Sequence, residues 1–176
     1  MSAPAALRRT HEGADELLVH DPYTGQAIGS VPRSAPGDVD LLLARARAGF
    51  EIARGLTRFE RHGILERAGA LLQARADEAT RLIVREAGKT VRQARKEVRR
   101  AVSTLSLSAE AARSNAGEVI PFDAFEGSAN RRGWFTREPL GLVVAITPYN
   151  DALNLVAHKL GPAVAAGDSV ILKPSP

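Results

Sequence analysis

Apolar residues recur along this chain with two different periods. From Leu17 to Val31 they alternate with polar residues on either side of Pro22-Tyr23-Thr24-Gly25, a run of turn formers, which predicts a small β-hairpin. The period then becomes helical: Val39, Leu42, Leu43, Ala46 and Phe50 fall on one face, with Asp38 placed to cap the start. A second helix is expected from about Arg58 to Ala76, turning Ile64, Leu65, Ala68, Leu71 and Leu72 inward. A third runs from Asp77 to Ala87 and stops at Gly88, a residue suited to a left-handed cap. Thr90 opens a long helix to about Ser114, with Val91, Ala94, Val98, Ala101, Val102 and Leu105 along one stripe.

From Gly117 the pattern is extended again. Glu118 to Phe122 and Arg131 to Glu138 read as short strands around the polar loop Glu126 to Asn130, with Trp134-Phe135 either buried within the strand pair or left on an exposed edge where sheet partners are missing. The residues from Gly141 onward are the most informative. The apolar run Leu142 to Ile146 stops at Thr147-Pro148; a helical stretch of small residues leads to a turn at Gly167-Asp168; a second apolar run, Val170 to Leu172, ends at Lys173-Pro174. This is strand, crossover helix, parallel strand, the opening unit of a dinucleotide-binding sheet. Ligands of such sheets sit outside the carboxyl ends of the strands, where Asn150 and Lys173 fall. The expected class is α/β: an amino-terminal helical layer followed by the first strand-helix-strand of a Rossmann-like parallel sheet, which needs further strands to be complete.

Composition narrows the field. A hydrophobic content of 44% over 176 residues suits a globular fold with a fair core. The longest apolar stretch, Leu140 to Ile146, has strand length, so no membrane association is expected. The first ten residues are small, polar and basic and lack the apolar centre of a signal peptide, which points to a cytoplasmic protein. Absence of cysteine excludes disulfides and thiolate metal sites, and His11, His20, His62 and His158 show no metal-ligand spacing. The net charge is +4, and the basic residues Lys89, Arg92, Arg95, Lys96, Arg99 and Arg100 spread around most of a helix with no interleaved aromatics. That is a solvated helix face rather than a nucleic-acid surface.

The residues Ile146-Thr147-Pro148-Tyr149-Asn150 and Leu172-Lys173-Pro174-Ser175 closely resemble the NAD(P)-dependent aldehyde dehydrogenases. The resemblance extends upstream through Glu138-Pro139-Leu140-Gly141, Glu118-Val119-Ile120-Pro121, Arg85-Glu86-Ala87-Gly88-Lys89 and Asp21-Pro22-Tyr23-Thr24-Gly25. Within the family the chain is most similar to the lactaldehyde and phosphonoacetaldehyde dehydrogenase branch, on Ile146 to Asn150 and Leu153 to Lys159. The resemblance implies a truncated aldehyde dehydrogenase fold. Residues 1–116 would be the hairpin and helices of the cofactor-binding domain, 117–140 would form oligomerisation strands of a homo-oligomer, and 141–176 would begin the NAD(P)-binding sheet. It also implies oxidation of an aldehyde to its acid, with a cysteine nucleophile and a glutamate base. No residue here matches either, and cysteine is absent. The expected function is therefore that of a partial aldehyde dehydrogenase for a small polar or anionic aldehyde, such as phosphonoacetaldehyde, lactaldehyde or a semialdehyde. The alternative is a non-catalytic truncated product, or a fragment needing a complementary carboxyl-terminal chain.

By the same resemblance Asn150 stabilises the oxyanion of the reaction, the alternative being that it caps the following helix. Lys173 serves the adenosine ribose of NAD or NADP, with Ile146, Thr147, Pro148, Tyr149 and Ser175 also against the cofactor. Many NAD-preferring relatives carry a glutamate three residues after this lysine; Pro176 stands there, leaving the two cofactors unseparated. Asp151, Asn154, Leu155 and His158 share one helix face, which the family turns toward the aldehyde tunnel, with Glu97, Arg100 and Thr104 opposite. Arg100 and His158 facing one channel would suit an anion. Equally, His158 could bond within the helix layer and Arg100 face solvent. Asp151-Ala152 replaces the Phe-Pro common in the family.

Overall fold

The computed structural model describes residues 16–175. The first ten residues, His11 and Pro176 lie outside this range. The order of elements is β1 (Glu16–His20), β2 (Ala27–Pro32), α1 (Val39–Ala53), α2 (Arg58–Ala74), α3 (Ala76–Ala87), α4 (Val91–Ser114), β3 (Gly117–Ile120), β4 (Gly133–Thr136), β5 (Leu142–Ile146), α5 (Asn154–Ala166) and β6 (Ser169–Lys173). β1–β2 and β3–β4 are antiparallel pairs, whereas β5–β6 are parallel and joined by α5.

The long helix α4 is the centre of the molecule, packed against α2, α3 and α5. One core cluster joins Leu65, Ala109, Ala112 and Ala165; a second joins Ile83, Ala94 and Val98. Much of this interior is alanine, which lets helices approach closely. At Gly161 on α5 a Cβ atom would come within 2.5 Å of the Ser108 hydroxyl on α4, so only glycine permits that spacing. Gly88 and Gly167 close α3 and α5 in left-handed conformation, at φ 62° and 93°.

Several sequence expectations need correction. Asp38 does not cap α1: it ends a single 3-10 turn begun by Pro36, and its carboxylate accepts from the Ala35 N–H at 2.7 Å. α2 ends at Ala74, and Arg75 separates it from α3. Its inward face is Leu65, Gly69 and half-buried Leu72, while Ile64 and Leu71 lie exposed on the flank. The cause is the tight fit on α4, where Gly69 sits against Leu105. Val91, in the first turn of α4, is also exposed. Of the two accounts of β3–β4 the buried pair does not hold: Trp134 is 72% exposed, and among the described residues no third strand covers the ribbon.

Candidate active site

The two parallel strands fix the geometry of the site. Leu142 pairs with Ser169 and Ile146 with Lys173, and the Thr147 N–H donates to the Lys173 carbonyl at 3.2 Å, carrying the ladder one residue further. At the opposite end the buried Asp168 carboxylate accepts from the Gly141 N–H at 2.7 Å. Beyond Thr147 the chain turns, and α5 starts only at Asn154. Asn150 therefore sits in the turn and does not cap the helix, which removes the alternative reading of that residue.

The start of α5 is capped from another helix. No side chain at its own N-cap, Leu153, can accept a hydrogen bond. The Leu153 and Asn154 N–H groups donate instead to Glu97 Oε1 on α4, at 2.8 and 3.3 Å. A carboxylate there satisfies orphan donors and meets the positive end of the helix dipole. Glu97 is 2% exposed and is partnered on its second oxygen, Oε2, by Lys89 Nζ at 2.6 Å. Lys89 also donates to Asp151 Oδ1 at 2.6 Å, and the other Asp151 oxygen accepts from Arg100 at 3.1 Å. The four groups form a continuous chain of alternating charge. Lys89 projects into it from the single residue between the Gly88 cap of α3 and the Thr90 capping box of α4.

This network moves two titrations. The hydrogen bond from Lys89, against an opposing effect of burial, holds the Asp151 carboxyl below its ordinary range, and the Lys89 and Arg100 charges act in the same direction. For Lys89 burial alone favours the neutral amine, but the bonds and charges of Asp151 and Glu97 outweigh it and raise the ammonium above its ordinary value. A depressed carboxyl stabilises the fold above its unfolded pKa and loses that contribution as pH falls through the folded value. A raised ammonium contributes below its unfolded pKa and loses that contribution as pH rises through the folded one. The alkaline and acid limbs of a stability-against-pH curve should therefore both flatten in Lys89→Met. Unchanged limbs in urea titrations would show that the network does not couple to folding.

Gly88, Lys89, Gln93, Lys96, Glu97, Arg100, Asn150 and Asp151 line a cleft of about 410 Å³. Next to it on α5, Asn154 is fully buried, and the Thr104 hydroxyl lies 3.2 Å from Asn154 Oδ1 and 3.5 Å from His158 Nε2. Asn154 Nδ2 has no partner among the described residues. Leu155 is half-buried beside them. Arg100 pairs with Asp151 rather than facing solvent alone, and His158, though exposed, touches the helix layer through Thr104. The residues expected against the cofactor stand apart from the cleft. Ile146, Pro148, Tyr149 and Lys173 are exposed, and Lys173 Nζ donates to the Pro174 carbonyl at 3.1 Å. Ser175 follows, half-buried, while the Thr147 side chain is buried. Lys89 and the capping role of Glu97 were not foreseen. The signal for Glu97 was present: it lies three residues after Ala94 and four before Ala101, a lone acid on an apolar stripe.

The model of the aldehyde dehydrogenase family matches residues 9–176. The chain belongs to the aldehyde dehydrogenase family. It is 57% identical over 90% of its length to aspartate-semialdehyde dehydrogenase 1 of Pseudomonas canavaninivorans, and covers 34% of that protein. It is 40% identical over 92% of its length to the 3-sulfolactaldehyde dehydrogenase of Priestia aryabhattai, again covering 34% of the relative. A glyceraldehyde-3-phosphate dehydrogenase of Methanocaldococcus jannaschii, solved in complex with NADP, superposes with a TM-score of 0.85 at 32% identity, over 93% of this chain and 34% of the other. The chain thus spans about a third of the length of its relatives. Among the described residues no helix is long and apolar enough to cross a membrane.

Proposed function

We propose that these residues form the amino-terminal third of an enzyme that oxidises a small anionic aldehyde with NAD or NADP. The observation that carries the reading is the cleft in which Asn150 stands beside Arg100 and Lys96, at the carboxyl end of β5. The Asn150 amide is a donor for the oxygen that becomes negative when a nucleophile adds to the aldehyde. Arg100 and Lys96 favour an anionic tail, and His158 lies one helix turn beyond Asn154 on the same face. The relatives named above are named for an amino-acid semialdehyde, a sulfonated aldehyde and a phosphorylated one, each of which carries an ionised acid group. This favours an anionic aldehyde over lactaldehyde.

The carboxyl ends of β5 and β6 fit a dinucleotide: adjacent parallel strands end side by side, and the Lys173 ammonium is exposed and, among the described residues, bonded only to its neighbour's carbonyl. Ile146, Thr147, Pro148, Tyr149 and Ser175 would line it and Lys173 would hold a ribose hydroxyl. The cofactor supplies the hydride acceptor. Oligomer formation through the exposed β3–β4 ribbon belongs to the same proposal.

The nucleophile and the hydrolytic base are not provided by these residues, which include no cysteine. The isolated 176-residue polypeptide is expected to reduce no NAD(P)+ above background with any aldehyde. Turnover by preparations free of contaminating dehydrogenase would refute this. Exposed Val144 and Ile146 on β5 support a second reading, in which a separate carboxyl-terminal chain completes the sheet. Activity on mixing the two polypeptides would establish it.

Substrate choice is tested in a chimaera in which residues 1–176 replace the matching segment of the Pseudomonas relative. Arg100→Met and His158→Phe should each lower kcat/KM for an anionic aldehyde roughly ten- to a hundred-fold, the cost of a charge-assisted hydrogen bond, and spare a neutral aldehyde of similar size. Equal losses on both would reduce these residues to shaping the tunnel.

A further inference from the structure

We infer that His62, Glu66 and Glu110 bind one first-row divalent cation of the zinc type, bridging α2 and α4 away from the aldehyde cleft. Each residue offers a ligand atom, and these atoms lie within 4.8 Å of one another. His62 and Glu66 are one helical turn apart on α2 and so share a face. Glu110 comes from α4 across the contact built by Leu65 and Ala109. Along α4 it is about 15 Å from Arg100, at 1.5 Å of rise per residue.

Two features set this group apart from ordinary surface acids. First, His62 Nδ1 is 3.1 Å from the Ala109 carbonyl, which can only accept, so Nδ1 is the donor and the neutral imidazole has its lone pair on Nε2. Metal-bound imidazoles are held in this way, one ring nitrogen donating to the protein and the other on the ion. Second, the three side chains converge without bonding: among the described residues no hydrogen bond or ion pair joins them, and neither carboxylate has a basic partner, in a chain with 24 Lys and Arg. Tetrahedral bonds of about 2.0–2.2 Å to a shared ion place ligand atoms about 3.3–3.6 Å apart, so side-chain rotations that bring them roughly an ångström closer complete the set. One imidazole with two carboxylates suits zinc, cobalt or nickel better than magnesium or calcium, and leaves a position for water. Cysteine content and histidine spacing do not reveal this set, which spans two helices and is mostly carboxylate.

The test titrates the tag-free, chelator-stripped 176-residue chain with zinc chloride against a chromophoric chelator. One zinc per chain at a Kd on the order of micromolar is expected. Glu66→Gln, Glu110→Gln and His62→Gln should each weaken binding by at least about tenfold, with unchanged far-ultraviolet circular dichroism. His11→Asn and His20→Asn should leave it unchanged. Cobalt(II) should give visible absorption bands of a low-symmetry site that vanish in the same three variants. Binding weaker than about millimolar overturns the proposal, as does parental affinity in Glu66→Gln/Glu110→Gln. Should that double variant lose its helical signal, the single Glu66→Gln change, on an exposed side chain, decides by the same criterion.

Discussion

Asn150→Ala in the chimaera should lower kcat on the order of 10²- to 10³-fold, the usual loss for one oxyanion donor. The loss should be the same for anionic and neutral aldehydes, because the oxyanion is common to both. KM should change little, since the donor acts mainly on charge that develops after binding. The position of Asn150 makes the experiment clean: it stands in the turn before α5 and caps nothing, so its removal should cost no more than about 0.5 kcal/mol of stability. Steady-state kinetics with one aldehyde of each charge, beside a urea melt, separate the possibilities. A loss confined to anionic substrates would make Asn150 a specificity residue instead.

Glu97→Ala should produce the largest loss of stability. It strips the acceptor from the Leu153 and Asn154 N–H groups and leaves Lys89 with Asp151 alone. Breaking a buried, hydrogen-bonded charge pair from one side costs about 3–5 kcal/mol. Urea unfolding of the chimaera measures this directly, and amide exchange should show the first turn of α5 opening first. Glu97→Gln keeps an acceptor for the helix but removes the charge facing Lys89, so it should fall between the parent and the alanine variant. A change below about 1 kcal/mol for Glu97→Ala would mean that water replaces the cap without cost.

How far the sequence discloses this structure differs between elements. β5, α5 and β6 were legible because two short apolar runs are separated by a helix and bounded by Thr147-Pro148 and Gly167-Asp168, local signals that tertiary packing reinforces. Gly88 as a left-handed terminus was legible for the same reason. The inward face of α2 was not. Periodicity counts Ile64 and Leu71 as apolar, but the closest approach to α4 is made at Gly69, which no hydrophobicity pattern marks. Asp38 misled because capping chemistry fits either a 3-10 turn or an α-helix, and Pro36 decided for the turn. Around the cleft, the motif located Asn150, and helical spacing grouped Asn154 and His158, which do share α5; Asp151, expected on the same helix face, lies in the turn before it. The ion chain through Lys89 was hidden, since its members are separated by 8 residues in one link and 62 in the next.

That long-range cap also limits how the substrate preference of this scaffold can be exchanged. Residues 150–158 look like a portable cassette, a turn and about one and a half helical turns carrying side chains in and beside the cleft. Yet the cassette's own first turn is held by Glu97, and its Asp151 is neutralised by Lys89 and Arg100, all three outside the transplanted segment. Moved alone into a scaffold that lacks either cation, Asp151 would arrive as an undercompensated charge. Recombination between members of the family should therefore succeed only when crossover points keep residues 89–100 and 150–158 from the same parent.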